Sequence, residues 1–247
     1  MTAKTAGDTR RATPRSVERS ESAESRGFDA LPAFGPPGAN EPAPARAPAN
    51  PAVAGETRSV LRLGTDARQR CWWAGSAPEY IEYHDLEWGT ALHGDDALFE
   101  RLCLEAFQSG LSWLTILRKR PAFRLAFSGF AIDKVADFDD NDVQRLLSDA
   151  TIVRNRAKID AVIHNAKVAT DLDPGLDELL WSFQPPRPRP RPISLTDLPA
   201  TSEESTAMAK ELKRRGFKFV GPTTAYALMQ ATGMVDDHVV GCWRASP

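Results

Sequence analysis

The stretch Leu98–Trp113, LFERLCLEAFQSGLSW, sets a helical period: Leu98, Leu102, Glu105 and Ser109 fall on one face. Phe99, Leu102 and Ala106 make that face apolar, so Glu105 occupies a position where a core residue is expected. A lone carboxylate there is costly unless something pairs with it. Gly110 predicts the end of this helix. Ser112 is placed to cap a second one, WLTILRKR, which Pro121 is expected to end. Trp113 lies at the joint. A buried carboxylate beside a large aromatic at a helix junction points to a pocket for a flat, polar, cationic ligand. On the helix alone, a Glu105 that merely caps or salt-bridges inside a helical core is the alternative.

The same pattern continues on both sides. CWWAGSAPEYIEYHDLEWG is dense in aromatics (Trp72, Trp73, Tyr80, Tyr83, Trp88). Pro78 suits the first turn of a short helix carrying Tyr80, Tyr83 and His84 on one side. Asp95 and Asp96 suit the N-terminus of the central helix. After Pro121 the spacing predicts helix in AFRLAFSGF, from Ile132 to Val135 and from Asp142 to Leu147. It predicts an amphipathic helix over Asn155–Val168 (Ile159, Val162, Ile163, Ala166) and a short one over Leu176–Phe183. Thr201 with Glu204 reads as a capping box opening a helix to about Arg215. Gly216 and Gly221 bracket a turn, and Pro222 opens the next helix. Period-2 alternation is scarce, so the expected fold class is all-α. PPRPRPRP, Pro185–Pro192, is expected to be an exposed, polyproline-like surface insertion.

Composition divides the chain. Residues 1–68 are rich in Ala, Pro, Arg, Glu and Ser, with Phe28 and Phe34 as their only aromatics, and are expected to be a disordered tail. Residues 69–247 are expected to form one helical domain. Arginines near the N-terminus resemble a transit peptide, but Asp8, Glu18, Glu21 and Glu24 argue against one. The 247 residues carry a net charge of −2, which excludes a tail-driven nucleic-acid binder but leaves room for a local basic patch. Three widely spaced cysteines fit a reducing, cytoplasmic setting with free or metal-bound thiols. No apolar run is long enough to span a membrane, so no membrane partner is expected.

Two further sets carry chemistry. In ELKRRGFKFVGPTTAYALMQATG, backbone amides at the second helix N-terminus can hold a DNA phosphate, with Lys213, Arg214, Arg215 and Lys218 around it. The turn, V-G-P-T-T-A at Val220–Ala225, resembles the helix-hairpin-helix element of DNA repair glycosylases. His238 and Cys242 are four apart and would share a side of a helix. With Cys71 and His84 they make a Cys2His2 set suited to tetrahedral zinc, although ordinary buried thiols remain the alternative. His93, His164 and Cys103 lack partners at ligand spacing.

From Cys71 to Trp243 the chain resembles the DNA-3-methyladenine glycosylase I family, within the helix-hairpin-helix glycosylase superfamily. The matching stretches are CWW at 71, YIEYHDLEWG at 80, LCLEAFQSGLSW at 102, RGFKFVG at 215 and DHVVGC at 237. The resemblance leaves out the first 70 or so residues and the Pro-Arg run. It implies a structural Zn2+ held by Cys71, His84, His238 and Cys242. It implies a base pocket of Glu105, Tyr83 and Trp113 lined by Trp73, Tyr80 and Trp88, with Glu105 catalytic. Gly216, Lys218, Gly221 and Thr223 would contact DNA. The implied activity is hydrolysis of the N-glycosidic bond of 3-methyladenine in double-stranded alkylated DNA, by a monomer. Thr223 stands where bifunctional superfamily members carry a catalytic Lys, which implies no lyase activity. Asp236, after the hairpin, lies about where the superfamily keeps a catalytic Asp. A non-catalytic zinc-containing DNA-binding module is the competing reading. Glu105 argues against it, because pure binding needs no carboxylate facing phosphate-rich DNA.

Overall fold

The computed structural model describes residues 59–245; most of the expected tail therefore lies outside the described residues. Order starts earlier than the composition implied. Leu61–Leu63 (β1) pairs antiparallel with Gln69–Cys71 (β2). This hairpin corrects the all-α expectation in one place: strands of three residues are too short for alternation to show. The rest is helical. In order come Pro78–Leu86 (α1), Asp95–Gln108 (α2), Trp113–Ala126 (α3), Ile132–Ala136 (α4) and Asp140–Ser148 (α5). Arg156–Thr170 (α6), Leu176–Trp181 (α7), Glu203–Arg214 (α8) and Pro222–Ala231 (α9) follow.

The central helix is α2. Leu98, Phe99, Leu102, Cys103, Leu104, Ala106 and Phe107 are all buried, so α2 is enclosed on nearly every side rather than on one face. It packs against α3, α6, α7 and α9. Ser112 caps α3 as expected, accepting from the Thr115 amide at 3.2 Å. Pro121 does not end α3, which runs on to Ala126. An interior proline costs about 3 kcal/mol. Continuing the helix buries Phe123 completely and leads into Phe127 and Phe130, each contributing about 1.5–3 kcal/mol. The ring ladder Phe107–Phe123–Phe127–Phe130, with centroids 4.6, 6.2 and 5.3 Å apart, therefore outweighs the proline.

The joint between α2 and α3 is fixed from α6. Asn155 caps α6, and Lys158 then reaches back, donating to the carbonyls of Phe107 (3.0 Å) and Ser109 (2.6 Å). A lysine bonded to the last carbonyls of a helix satisfies groups that would otherwise be orphaned. Gly110, at φ +83°, makes the turn. Further on, Ser202 with Ser205, not Thr201 with Glu204, forms the capping box of α8. Residues 236–245 are not helical, so the expected His238–Cys242 helix is absent.

Removing residues 1–58 is expected to leave the melting temperature unchanged, because that composition buries too little apolar surface to pack. Removal through residue 65 deletes β1 and is expected to cost roughly 1–3 kcal/mol. Thermal melts of the two truncations check this.

Candidate active site and metal centre

A narrow cleft of about 250 Å³, counting its open mouth, lies between α1, α2, α3 and α9. Its lining is Trp73, Tyr83, Trp88, Glu105, Gln108, Trp113 and Ala227. Five of the six pocket positions expected from sequence are therefore brought together. Tyr80 is not among the lining residues. It packs edge-on against Trp73 with centroids 6.1 Å apart, and its hydroxyl accepts from the Leu114 amide at 3.2 Å. It thus ties α1 to the first turn of α3 behind the wall.

Glu105 is 6% exposed. Burial raises its carboxyl to about 8, and the charge of Arg101, one helical turn earlier, opposes the rise only in part. Arg101 was not anticipated. It is buried on α2, donates to Glu87 at 2.9 Å, and lies 5.3 Å from the Tyr83 ring centre, within cation–π range. Arg120 of α3 clamps the same Glu87 with two bonds of 2.6 Å. Burial pushes the Tyr83 phenol up, so it is a neutral donor at physiological pH. Tyr83 and Trp113 face each other with centroids 5.4 Å apart. Trp73 and Trp88 meet edge-on at 4.9 Å. The Trp113 indole N–H is buried and has no partner among the described residues. A buried orphan donor on a cleft wall marks a place for a ligand acceptor. Gln108 was legible in principle, since it lies three residues after Glu105 on α2. Ala227 was legible as the position one turn after Thr223.

Behind the Trp73–Trp88 wall sits the cysteine–histidine cluster. The side-chain donors of Cys71 (end of β2), His84 (α1) and Cys242 (C-terminal loop) lie within 4.8 Å of one another, all buried. His84 Nε2 is 3.4 Å from the Cys242 sulfur. Its Nδ1 is 2.8 Å from Asp85, which also takes bonds from Arg70 (2.6 and 2.9 Å) and the Trp243 indole (3.0 Å). An ionised carboxylate only accepts, so Nδ1 carries the proton and Nε2 turns a lone pair toward the sulfur. His238 is built alike. Its Nδ1 is 2.8 Å from Asp236, its ring lies 5.1 Å from that of His84, and its buried Nε2 has no partner among the described residues. Gly89 is required here, because a Cβ would come 2.7 Å from His238 Cε1. The Cys242 thiol is held well below its ordinary value, first by the bond from Cys71 and then, against burial, by His84. The two sulfurs and the His84 ring converge, whereas His238 stands outside that group of three, its orphaned Nε2 on a ring beside His84; as a donor set the four suit a tetrahedral ion such as zinc. A loop rather than a helix presents His238 and Cys242. Asp236 is bonded to His238 and to Arg191 (2.8 Å).

Among the expected DNA contacts, the linker between α8 and α9 docks on α6. Asn165 exchanges two bonds with the Lys218 backbone (2.8 and 3.0 Å), and His164 meets the Gly216 carbonyl at 2.9 Å. Gly221 caps α9, Thr223 is half-buried in its first turn, and the Lys218 side chain is exposed. Arg214 and Arg215 are both paired to Glu211, so they add less free positive charge than the sequence implied.

A flat-ligand cleft with a buried acid at its floor, enclosed by helices, defines the class of site. The methyladenine glycosylase family model matches residues 73–245, and the chain belongs to that family. It is 44% identical over 178 residues to DNA-3-methyladenine glycosylase 1 of Escherichia coli (strain K12), covering 70% of this chain and 95% of that one. A crystal structure of 3-methyladenine DNA glycosylase I superposes with a TM-score of 0.69 at 43% identity, covering 72% of this chain and all of the other. A tyrosine-to-phenylalanine variant of 3-methyladenine DNA glycosylase I in complex with 3-methyladenine superposes at 0.66 with 34% identity, covering 70% and 95%.

Proposed function

We propose that the protein is a DNA-3-methyladenine glycosylase, hydrolysing the N-glycosidic bond of 3-methyladenine in alkylated double-stranded DNA. The single observation that carries this reading is Glu105, a carboxyl buried at the floor of a cleft whose walls are tryptophan and tyrosine rings. An N3-methylated adenine in DNA is cationic, so its glycosidic bond is already weak. Reaching it requires the nucleotide to leave the stack. Trp113 stacks on the extruded purine, and electron-rich rings favour its charge. Tyr83 donates to its polar edge, and Trp73 and Trp88 close the sides. Glu105, once ionised by the arriving cation, stabilises the sugar cation as the bond breaks or activates the attacking water.

The α8–α9 hairpin is read as a helix-hairpin-helix element: the amides after Gly221 hold a backbone phosphate, with Gly216, Lys218 and Thr223 beside it. Thr223 in place of a lysine is consistent with a monofunctional enzyme. Cys71, His84, His238 and Cys242 are read as zinc ligands. The metal supplies cross-linking rather than chemistry, because four protein donors leave no open position for water. The working form is a monomer, with the Ala/Pro/Arg-rich residues ahead of β1 outside the catalytic domain. Among the described residues no helix is long and apolar enough to cross a membrane.

The test is release of free 3-methyladenine from methylated duplex DNA. Release without strand cleavage is the expected result. Tight DNA binding with no base released would favour the non-catalytic module instead.

A further inference from the structure

The Pro185–Pro192 run is exposed at Pro186, Arg187, Pro188 and Pro190, as its composition implied, but its arginines and last proline dock on the domain. Arg191 Nη2 lies 2.8 Å from one oxygen of Asp236, and its Nη1 donates to the His238 carbonyl at 3.4 Å. The other oxygen of Asp236 is 2.8 Å from His238 Nδ1 and also accepts the His238 amide at 3.2 Å. Next along, the buried Pro192 offers its carbonyl to the Val240 amide at 2.9 Å. Arg189 addresses the neighbouring aspartate. It donates to the Tyr226 hydroxyl (2.9 Å), which donates to Asp237 (2.5 Å), and Asp237 also accepts from Gln230 (2.8 Å). Two arginines, two residues apart, thus reach two consecutive aspartates on the loop that presents His238.

We propose that Arg191 is a positioning residue for the metal: through Asp236 it fixes the tautomer and tilt of His238, so that Nε2 faces the Cys71–His84–Cys242 cluster. This rests on the reading of those four residues as zinc ligands. The prolines make the strap a stiff arm, since each fixes its own φ and little chain freedom is left to lose on docking. The Arg191 and Asp236 side chains are 26% and 41% exposed, so the ion pair alone adds little to folding. Its consequence is orientation. A carboxylate bonded to the non-ligating nitrogen of a metal histidine sets that ring's angle and basicity, and losing such a partner costs about 10–100-fold in metal affinity. On the other side of the cluster Asp85 serves His84 and is itself held by Arg70. The Arg191–Asp236–His238 chain is the counterpart of Arg70–Asp85–His84.

The experiment uses the full-length, zinc-loaded protein and follows zinc release to a coloured chelator. Arg191→Gln is expected to release zinc faster than the parent by up to about 10-fold, the low end of the cost of losing the carboxylate itself, because Asp236 stays on His238. Arg189→Gln, which loosens the same strap at Tyr226, and Arg187→Ala at an exposed position are expected to release it at the parent rate. Chelator-stripped Arg191→Gln and stripped parent are expected to melt at the same temperature, which a merely structural role would not allow. Parent-like release by Arg191→Gln, or equal acceleration by Arg189→Gln, overturns the inference. Parent protein that carries no zinc, or Cys242→Ala protein that carries as much as the parent, overturns the metal reading itself.

Discussion

Replacing Glu105 with glutamine is expected to slow 3-methyladenine excision by about 10²–10³-fold and, at alkaline pH, to make the folded protein more stable. Both effects come from one cause. Burial lifts the Glu105 carboxyl to about 8 from an ordinary 4.5, against the partial opposition of Arg101. The folded state therefore holds a proton that the unfolded chain releases between those two values. Stability falls as pH rises through that window, by an amount on the order of a few kcal/mol. Glutamine carries no such proton, so the variant's advantage is absent below about pH 4.5 and complete above about pH 8. Urea titrations at pH 6 and pH 9 measure it. Excision runs the other way. The parent's kcat/KM is expected to climb from pH 6 to pH 9 as the carboxylate forms, while the variant stays low and flat. Binding to DNA carrying an abasic product is expected to persist, because the phosphate contacts proposed for the α8–α9 hairpin do not involve Glu105. Asp236→Asn is the control. Parent rates in Glu105→Gln with loss in Asp236→Asn would move the catalytic carboxylate to the hairpin side.

What could be read from the sequence depended on how local the cause was. Glu105 was legible because helical spacing alone puts it among Leu98, Leu102 and Ala106, where a carboxylate is out of place. Ser112, Gly221 and Pro222 carry their roles in their own side chains or their lack of one, and the structure keeps all three. Pro121 misled because the ring ladder that overrides it is tertiary: Phe107 comes from a different helix. The β1–β2 hairpin was invisible for want of length. Arg70 with Asp66 is a local pair, but Arg70 with Asp85 on α1 and the Trp243 amide with the Gln69 carbonyl join the hairpin to other segments, the last far along the chain. Arg101 hid on α2, where its charge suited a solvated face. Its partners are Glu87 after α1 and the Tyr83 ring on α1, neither of which the spacing along α2 reveals. The Pro-Arg strap misled for the same reason, since its partners Asp236 and Tyr226 belong to the other end of the domain.

On the zinc reading proposed above, loss of the metal is expected to be a large structural injury from a single side chain. Cys242→Ala removes one donor and leaves Cys71, His84 and His238 to hold a buried ion with incomplete coordination. The proposed ligands come from the end of β2, from α1 and from the C-terminal loop, so one ion would tie together segments more than 150 residues apart along the chain, His84 and Cys242 among them. A metal present at 100 times its dissociation constant stabilises the folded state by about 2.7 kcal/mol, and tighter sites by more. The variant, and the parent after chelation, are thus expected to lose roughly 3 kcal/mol or more. The effect on catalysis is indirect. Trp88 lines the cleft and packs 4.6 Å from the His238 ring, while Trp73 lies 5.2 Å from His84. Loosening the cluster therefore loosens two walls of the base pocket and leaves Glu105, on α2, in place. Well below the melting temperature, the variant is expected to bind methylated DNA productively at a higher concentration, with a single-turnover rate at saturation close to the parent's. Paired measurements of melting temperature, zinc content and the saturating single-turnover rate decide the matter. Protein purified without chelator that contains no zinc, or a Cys242→Ala variant that melts with the parent, would remove the metal from the account of this fold.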